Sequence, residues 1–394
     1  MLRLKLIKRG LGLSLLALVL SACSANDTEE EQGPAPLIDF EQERSFNKVW
    51  SSSVGDGQGE IFNRLNPAID SELIYVASAN GDVEAVTLDK GKTVWDVELD
   101  KLLVGGVGVG ADLVLVGTAA GEVVALDKED GSALWTVEVG GEVLAAPQTN
   151  GSLVFVQTFD GQMLALDIKE GKRIWSYRNT VPVLTLRGTS TPLMFRDTVI
   201  AGFANGRVIS FDMKTGAIRW NTRVAVAKGD SEIERIIDID GALLEVNGLI
   251  VAVSYQGKIA VIDPGSGRRI WSNEASSYVG MSYGFGNIYV SGEDGSVTAF
   301  EKNGQGARWA QTVLARRKLT GSTTLGSYVV VGDVEGYLHA LSQVDGRIAA
   351  RTKVDSDGLQ VDLQTVDDML IVYANSGKLV AYRLEEKSRG FSFF

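Results

Sequence analysis

The chain of 394 residues contains a single cysteine and a single histidine. One cysteine excludes an internal disulfide bond, and one histidine excludes the common zinc clusters. The sequence also lacks a Gly-rich phosphate loop ending in Lys-Ser/Thr, a G-x-S-x-G nucleophile elbow and an H-E-x-x-H zinc motif. We therefore expect no catalytic residue, no metal site and no bound cofactor.

Proline and helical periodicity are scarce as well. Seven prolines stand against 45 glycines, and no long stretch after residue 40 repeats its apolar residues with the period of a helix. Short runs of Val, Ile and Leu between Gly-rich turns are instead typical of an all-β chain.

Basic residues are also fewer than acidic residues. Lys and Arg number 38 and Asp and Glu number 50, which gives a net charge of −12. Residues 1–22 carry basic residues and no acid, so their removal would make the remainder more negative still. Such a surface repels nucleic acid, which is therefore not an expected partner.

The N-terminus has the pattern of a targeting signal. Residues 1–9 are basic, residues 11–20 are almost wholly apolar, and Leu-Ser-Ala precedes Cys23. This pattern predicts a secretory signal peptide over residues 1–22, because the apolar run is shorter than the about 20 residues that span a membrane. Leu-Ser-Ala-Cys resembles the bacterial lipoprotein signal, which implies lipid attachment to Cys23. The alternative is an ordinary signal peptide with an incidental cysteine.

The stretch after the signal differs from the rest of the chain. Residues 23–45 are acidic, polar and interrupted by proline, and cannot bury enough surface to fold. We interpret them as a flexible tether between lipid and domain. In the lipoprotein resemblance, Ser24 rather than Asp after the cysteine implies sorting to the outer membrane.

One unit recurs along the chain: a strand, a turn through Asp and Gly, and a second strand that carries a Trp. It reads A-L-D-K-E-D-G-S-A-L-W up to Trp135, A-L-D-I-K-E-G-K-R-I-W up to Trp175, S-F-D-M-K-T-G-A-I-R-W up to Trp220 and V-I-D-P-G-S-G-R-R-I-W up to Trp271. The Gly adopts backbone angles that a Cβ would resist. Each Trp supplies roughly 150–250 Å² of surface that can pack against the next repeat. Structural packing is therefore the interpretation of these Trp residues, and turn capping that of the recurring Asp.

Two markers give the number of repeats. A small or polar residue followed by Gly opens an inner strand at Gly81, Gly121, Gly161, Gly206, Gly257, Gly295, Gly336 and Gly377. The Trp marker stands at Trp50, Trp95, Trp135, Trp175, Trp220, Trp271 and Trp309, with Ala350 in the eighth place. A period of about 40 residues with four short strands is the signature of a β-propeller blade.

The phase of the markers predicts how the ring closes. The first Trp strand, residues 47–54, precedes the first Gly marker, and no Trp strand follows the last. We therefore predict one eight-bladed propeller of four-stranded antiparallel blades over residues 46–385, in which residues 47–54 supply the outer strand of the last blade. Seven blades is the alternative. Residues 386–394 are interpreted as a disordered or docked tail.

The repeat resembles that of quinoprotein alcohol and glucose dehydrogenases, which bind pyrroloquinoline quinone and calcium on the propeller axis. This chain has no second cysteine for the disulfide found in many of them and no long insertions that build such a site. A degenerate quinoprotein enzyme or a sugar-binding lyase remains the alternative function. His339, isolated in a strand position, is interpreted as a packed or hydrogen-bonded structural residue.

Two adjacent connections are longer than their counterparts. The interval from Trp175 to Pro192 exceeds that from Trp135 to Pro147, and the following connection, after Trp220, is longer again. In an up-and-down propeller both emerge on one face, and long loops on a rigid scaffold often carry binding residues. The first contains Leu184, Leu186 and Arg187, and the second contains Asp238 and Asp240. Apolar residues beside fixed charge suit a protein contact; the alternative is that the leucines pack under their own loop.

The lipoprotein signal, the acidic stretch, the Trp repeats and the L-T-L-R-G and D-I-D loops together resemble the propeller lipoproteins of the outer-membrane β-barrel assembly (BAM) machinery. The resemblance implies a non-catalytic protein on the periplasmic face of the outer membrane that assists delivery of unfolded β-barrel precursors. It implies contact of Leu184, Leu186, Arg187, Asp238 and Asp240 with the POTRA domains of BamA, and indirect association with the other BAM lipoproteins. A further hypothesis is that sheet edges capture precursor strands.

Overall fold

The computed structural model describes residues 33–60 and 63–387, and its secondary structure there is all β. Every sheet in this part of the chain has four antiparallel strands. Blade 1 contains β2 (Ala68–Asp70), β3 (Leu73–Ala77), β4 (Asp82–Thr87) and β5 (Thr93–Glu98), and blade 2 contains β6 (Gly108–Gly110), β7 (Leu113–Gly117), β8 (Glu122–Asp127) and β9 (Ala133–Glu138). Blade 3 contains β10 (Gln148–Thr149), β11 (Leu153–Gln157), β12 (Gln162–Asp167) and β13 (Arg173–Arg178), and blade 4 contains β14 (Leu193–Phe195), β15 (Thr198–Phe203), β16 (Arg207–Asp212) and β17 (Ile218–Arg223). Blade 5 contains β18 (Leu244–Val246), β19 (Leu249–Val253), β20 (Gly257–Ile262) and β21 (Arg269–Ala275), and blade 6 contains β22 (Met281–Gly284), β23 (Asn287–Ser291), β24 (Val297–Glu301) and β25 (Ala307–Gln311). Blade 7 contains β26 (Thr323–Leu325), β27 (Tyr328–Gly332), β28 (Tyr337–Ser342) and β29 (Ile348–Lys353), and blade 8 contains β30 (Gln364–Val366), β31 (Met369–Tyr373), β32 (Lys378–Glu386) and β1 (Arg44–Ser53).

The eighth blade is built from both ends of the described chain. Its strand order is β1-β32-β31-β30, and β1 pairs with β32 from Arg44 opposite Glu386 to Ser53 opposite Lys378. The prediction of eight blades closed by the first Trp strand is therefore confirmed, and the alternative of seven blades is excluded. The closing strand begins before the predicted residue 47, because Arg44, Ser45 and Phe46 continue the ladder and Phe46 packs edge-on against Tyr382.

The core lies between blades. The middle strands present alternate apolar side chains to both neighbouring sheets; Leu115 of blade 2 and Val156 of blade 3, for example, lie in one buried cluster. Each such side chain contributes about 1.5–3 kcal/mol when fully buried. A blade has apolar residues on both faces, so it requires a neighbour on each side, and closure of the ring supplies one to every blade.

Seven Trp residues each join their own blade to the next one, and Ala350 takes the equivalent place in blade 7. Their indole N–H groups donate to a backbone carbonyl of the following blade at Leu88, Lys128, Ile168, Met213, Pro264, Lys302 and Gln343, over 2.7–3.1 Å. The indole ring covers the turn glycine of that blade, as Trp135 covers Gly171. A Cβ on Gly171 would lie 2.7 Å from the ring, so the repeat requires glycine both for the positive φ and for the space.

Every outer strand carries a β-bulge at the residue before the repeat position of the Trp. In blade 1 Ala85 pairs with Trp95 and Val86 with Thr93, so Val94 is the extra residue. Val94 is half exposed, and Val49, Leu134, Ile174 and Ile270 are exposed at the same position of their blades. A bulge interrupts the ladder that an added strand would have to follow, so it disfavours edge-to-edge pairing.

Residues 35–43 lie against blade 7. The backbone N–H of Ala35 donates to Ala315 O at 3.0 Å, Arg317 donates to Ala35 O at 2.7 Å, and Arg351 donates to Ile38 O at 2.9 Å. The flexible tether expected up to residue 45 therefore does not extend that far, since the chain is hydrogen-bonded to the propeller from Ala35 onward. Composition did not reveal this, because the arginines that hold the segment lie about 300 residues away in sequence.

His339 belongs to the same region. Its Nε2 lies 2.8 Å from Asp333 Oδ2, and Arg351 Nε donates to its Nδ1 at 3.2 Å, so the neutral tautomer carries its proton on Nε2. Burial lowers the pKa of His339. The side chain is fully enclosed and hydrogen-bonded, as interpreted from the sequence. Among the described residues, no helix is long and apolar enough to span a membrane.

Candidate protein-binding site

Two long connections lie side by side on one face of the propeller. The 180s loop (residues 179–192) joins β13 to β14, and the 230s loop (residues 224–243) joins β17 to β18. Each leads from the outer strand of one blade to the inner strand of the next. Because the strands are antiparallel, all such connections emerge on the same face. We call it the loop face.

A hydrogen bond joins the two loops. The backbone N–H of Leu186 donates to Asp238 Oδ2 at 2.5 Å, and the Asp238 side chain is fully buried. Asp240 is also buried and packs beneath Gly188, where an added Cβ would lie 2.7 Å from Asp240 Oδ2. The glycine in L-T-L-R-G is thus required for close contact with the second acid.

Arg187 ties the 180s loop to the preceding connection. Its Nη1 lies 2.6 Å from Glu142 Oε2, and both side chains are about one-third exposed. Partly exposed ion pairs contribute little to stability, typically about 0–1 kcal/mol. The pair instead fixes the direction of the guanidinium, which stays accessible at the surface.

The pKa values of the two buried acids, Asp238 and Asp240, are raised. Burial raises the pKa of Asp238 to about 8, and the neighbouring charge of Asp240 raises it further, while the Leu186 N–H opposes the shift. Burial also raises the pKa of Asp240 to about 7, against the opposing charge of Arg64. Both groups therefore change charge near neutral pH.

Apolar side chains project from the two loops above these acids. Val183 is 93% exposed and Leu184 is 43% exposed on the 180s loop, and Val226 and Ile233 are 56% and 65% exposed on the 230s loop. Leu186 is half-buried. The structure thus brings all five predicted residues together, but Leu184 and Arg187 are accessible whereas Asp238 and Asp240 lie beneath the surface.

Val226 and Ile233 are exposed beside the five predicted contact residues but are not among them. Ile233 lies in a turn built as a capping box: Ser231 Oγ accepts from the Glu234 N–H at 3.3 Å, and Glu234 Oε2 accepts from the Ser231 N–H at 3.4 Å. Glu234 Oε2 also accepts from the Asp230 N–H at 2.7 Å. The S-E-I-E sequence carries this signal. A rigid turn that exposes an isoleucine favours a contact with another protein.

A small cavity lies beneath the two loops. It measures about 40 Å³ and is lined by Arg64, Gly188, Asp240 and Asp362 among others. Asp362 is held by the Gly321 N–H at 2.8 Å. Sites for organic cofactors usually measure about 300–1,000 Å³, so this cavity is too small for a quinone. In the described part of the chain, no three His, Cys, Asp or Glu side chains cluster so as to hold a metal ion.

The fold defines a β-propeller of the Trp-docking, quinoprotein-like class that exposes two long loops on one face. Solved structures agree with the fold: quinohemoprotein alcohol dehydrogenase from Comamonas testosteroni is similar with a TM-score of 0.68, at 14% identity over 87% of this chain and 77% of that chain. At this identity the likeness concerns the fold alone.

More specific similarities identify the family. The family model PQQ_2, described as outer membrane protein assembly factor BamB, matches residues 79–311 and 293–389. The outer membrane protein assembly factor BamB of Pseudomonas aeruginosa is 55% identical over 94% of this chain and 97% of its own length. The crystal structure of BamB from Moraxella catarrhalis has a TM-score of 0.79 at 30% identity, covering 86% of this chain and 99% of that chain. The chain belongs to the BamB family, whose curated members are assembly factors and not enzymes.

Proposed function

We propose that this protein is a non-catalytic scaffold of the BAM machinery that binds the POTRA domains of a BamA homologue through the loop face. The observation that carries the proposal is the pair of joined loops that expose Val183, Leu184 and Ile233 beside the accessible Arg187. Exposed apolar anchors next to a fixed charge are the composition of a protein-binding patch.

The predicted contact residues have two roles in this proposal. Leu184 and Arg187 contact the partner directly, with the half-buried Leu186 at the edge of the contact. Asp238 and Asp240 hold the loops from below, since neither carboxylate reaches the surface. Loss of either acid would then weaken binding by releasing Leu186 or Gly188.

The test is a binding measurement with Leu184→Ala/Arg187→Glu. The purified periplasmic domain of BamA from the same bacterium is titrated with each variant. We expect the double variant to weaken binding by at least about tenfold, because it removes an anchor and reverses a charge at the contact. A matched control is Leu134→Ala/Arg219→Glu, which changes the same residue types at exposed positions away from the loop face. Undiminished binding by the Leu184/Arg187 variant, with an intact fold, would exclude this site.

The proposal also includes the membrane anchor. Cys23 carries the lipid that holds the protein at the periplasmic face of the outer membrane, after removal of the signal peptide. Cys23 and the signal peptide lie outside the described residues, as do residues 388–394 of the predicted tail. Mass spectrometry of the N-terminal peptide from purified envelopes tests the anchor; an unmodified Cys23 would contradict it.

The scaffold would assist delivery and insertion of β-barrel precursors at BamA, with the other BAM lipoproteins associated indirectly. The bulged outer strands do not favour capture of a precursor by strand addition, so we place precursor contact, where it occurs, at the loops. Photocrosslinkers at Val226 and at Val94 separate the two hypotheses. Precursor crosslinks from Val94 alone would support the sheet edges instead.

A further inference from the structure

A third long connection enters the site from the opposite side of the ring. It joins β1 to β2 (residues 54–67, of which 61 and 62 lie outside the described part) and carries Arg64. This connection leads from blade 8 to blade 1, whereas the 230s loop leads from blade 4 to blade 5. In a ring of eight the two are directly opposite.

Arg64 reaches across the axis. Its Nη1 donates to Tyr278 O at 2.6 Å, and its guanidinium lies 5.1 Å from the centre of the Tyr278 ring. Tyr278 belongs to the connection between blades 5 and 6, next to the 230s loop. The side chain therefore links the closing blade to the far half of the propeller.

The backbone that carries Arg64 is firmly held. The Leu65 N–H donates to Gln58 Oε1 at 2.9 Å, and the Leu65 side chain is fully buried. Asn63 O accepts from Gln360 at 2.9 Å, and Asn66 Oδ1 accepts from the Asp362 N–H at 2.9 Å. A long side chain on a fixed backbone loses little further entropy when it makes its contacts, so it can act as a rigid support.

Arg64 is the cation that acts on the buried acids of the cavity. Burial raises the pKa of both Asp240 and Asp362, and the charge of Arg64 opposes that rise. Arg64, Arg187 and Asp362 line the cavity together with Asp240, and the carboxyl of Asp238 lies close enough to feel the charge of Asp240. Asp240 in turn packs under Gly188. The charge of Arg64 thus acts across the cavity on the acid that supports the backbone of the 180s loop.

We propose that Arg64 is a positioning residue for the partner-binding loops: its guanidinium, placed at the axis beside Asp240 and Asp362, holds the 230s loop, and through Asp240 and Gly188 the 180s loop, in the arrangement that presents Leu184. This inference takes BamA as the binding partner from the proposed function. The positioning of the loops by Arg64 does not depend on which partner binds. In this scheme Arg64 supports the loops from within the propeller, and the loops make the contact with BamA.

The test compares Arg64→Gln with Arg64→Lys in the full mature protein. Arg219→Gln is the control, because it removes the same charge from an exposed pair on the opposite face. Affinity for the purified periplasmic domain of BamA is measured from pH 5.5 to 8.5. We expect Arg64→Gln to weaken binding about tenfold at pH 7.5 and to move the midpoint of the pH profile upward, since Asp240 is then protonated at higher pH. Arg64→Lys should keep the wild-type midpoint, as should Arg219→Gln.

Hydrogen exchange at Leu186 gives a second readout that needs no partner. This amide, which donates to Asp238, should exchange faster in Arg64→Gln than in the wild type. Arg64→Lys should leave its exchange rate unchanged. Absence of wild-type binding to BamA would refute the proposed function, while exchange at Leu186 would still decide the role of Arg64. Unchanged affinity and exchange in Arg64→Gln, or an equal loss in Arg64→Lys, would overturn the inference. If Arg64→Gln does not fold, Arg64→Lys must retain the wild-type affinity and midpoint, and a loss of either overturns it.

Discussion

Asp238→Asn is the sharpest test of the buried acid that joins the two loops. The asparagine keeps the shape of the side chain, and its oxygen can accept the Leu186 N–H as Asp238 Oδ2 does. The other position holds Oδ1, which is buried without a hydrogen-bond partner. The substitution therefore removes a buried titratable group and leaves the loop contact in place.

The expected effect is a difference in the pH dependence of stability. Burial raises the pKa of Asp238 from 3.8 to about 8 in the folded state. Between these values the folded protein binds one more proton than the unfolded chain, so its free energy of unfolding falls as pH rises. The slope is about 1.4 kcal/mol per pH unit for one proton. From pH 5 to pH 7, Asp238→Asn should thus gain about 3 kcal/mol relative to the wild type.

The assay is urea unfolding of both proteins at pH 5, 6 and 7. Asp212→Asn is the control, because hydrogen bonds from Arg219 and Thr215 lower the pKa of Asp212 to about 2. The stability due to Asp212 is lost only as pH falls below the ordinary range of a carboxyl, so this variant should run parallel to the wild type between pH 5 and 7. Parallel curves for Asp238→Asn would show that Asp238 is ionised in the folded protein at pH 5 and refute the reasoning.

Two further predictions address the loops and the N-terminal segment. Gly188→Ala should destabilise the protein by about 1–3 kcal/mol in thermal unfolding and weaken BamA binding, because its Cβ would overlap Asp240; Gly265→Ala, whose Cβ would meet nothing closer than 3.5 Å, should change neither. Arg351→Ala removes the bond to Ile38 O and should speed hydrogen exchange of the Glu43 amide, which donates to Ala349 O at 2.9 Å. Unchanged exchange would show that residues 35–43 are held without Arg351.

Much of the fold could be predicted because a repeat is a local property. The interval between successive Gly and Trp markers predicted eight blades, and the unpaired Trp strand at the start predicted that β1 would close the ring. The Asp-Gly turn before Trp135 has a physical requirement that is visible in sequence, since an indole and a turn glycine meet at seven of the eight junctions between neighbouring blades.

The site was only partly predictable. Loop length identified the 180s and 230s loops, and the structure joins them through Leu186 and Asp238. A third signal was present and was missed: Trp50 is followed by Pro67 at the same interval that separates Trp175 from Pro192. That equality marked the connection that carries Arg64 as long too.

The amino-acid sequence by itself therefore determined the number of blades, their closure and the position of the long loops, because these follow from spacing along the chain. The tertiary structure alone decided which charged residues reach solvent. Asp238 and Asp240 are enclosed by groups from other connections, and Arg64 arrives from the opposite side of the ring. Burial depends on residues that are close in space and far apart in sequence, so no local pattern could distinguish an acid that contacts a partner from one that supports the loop above it.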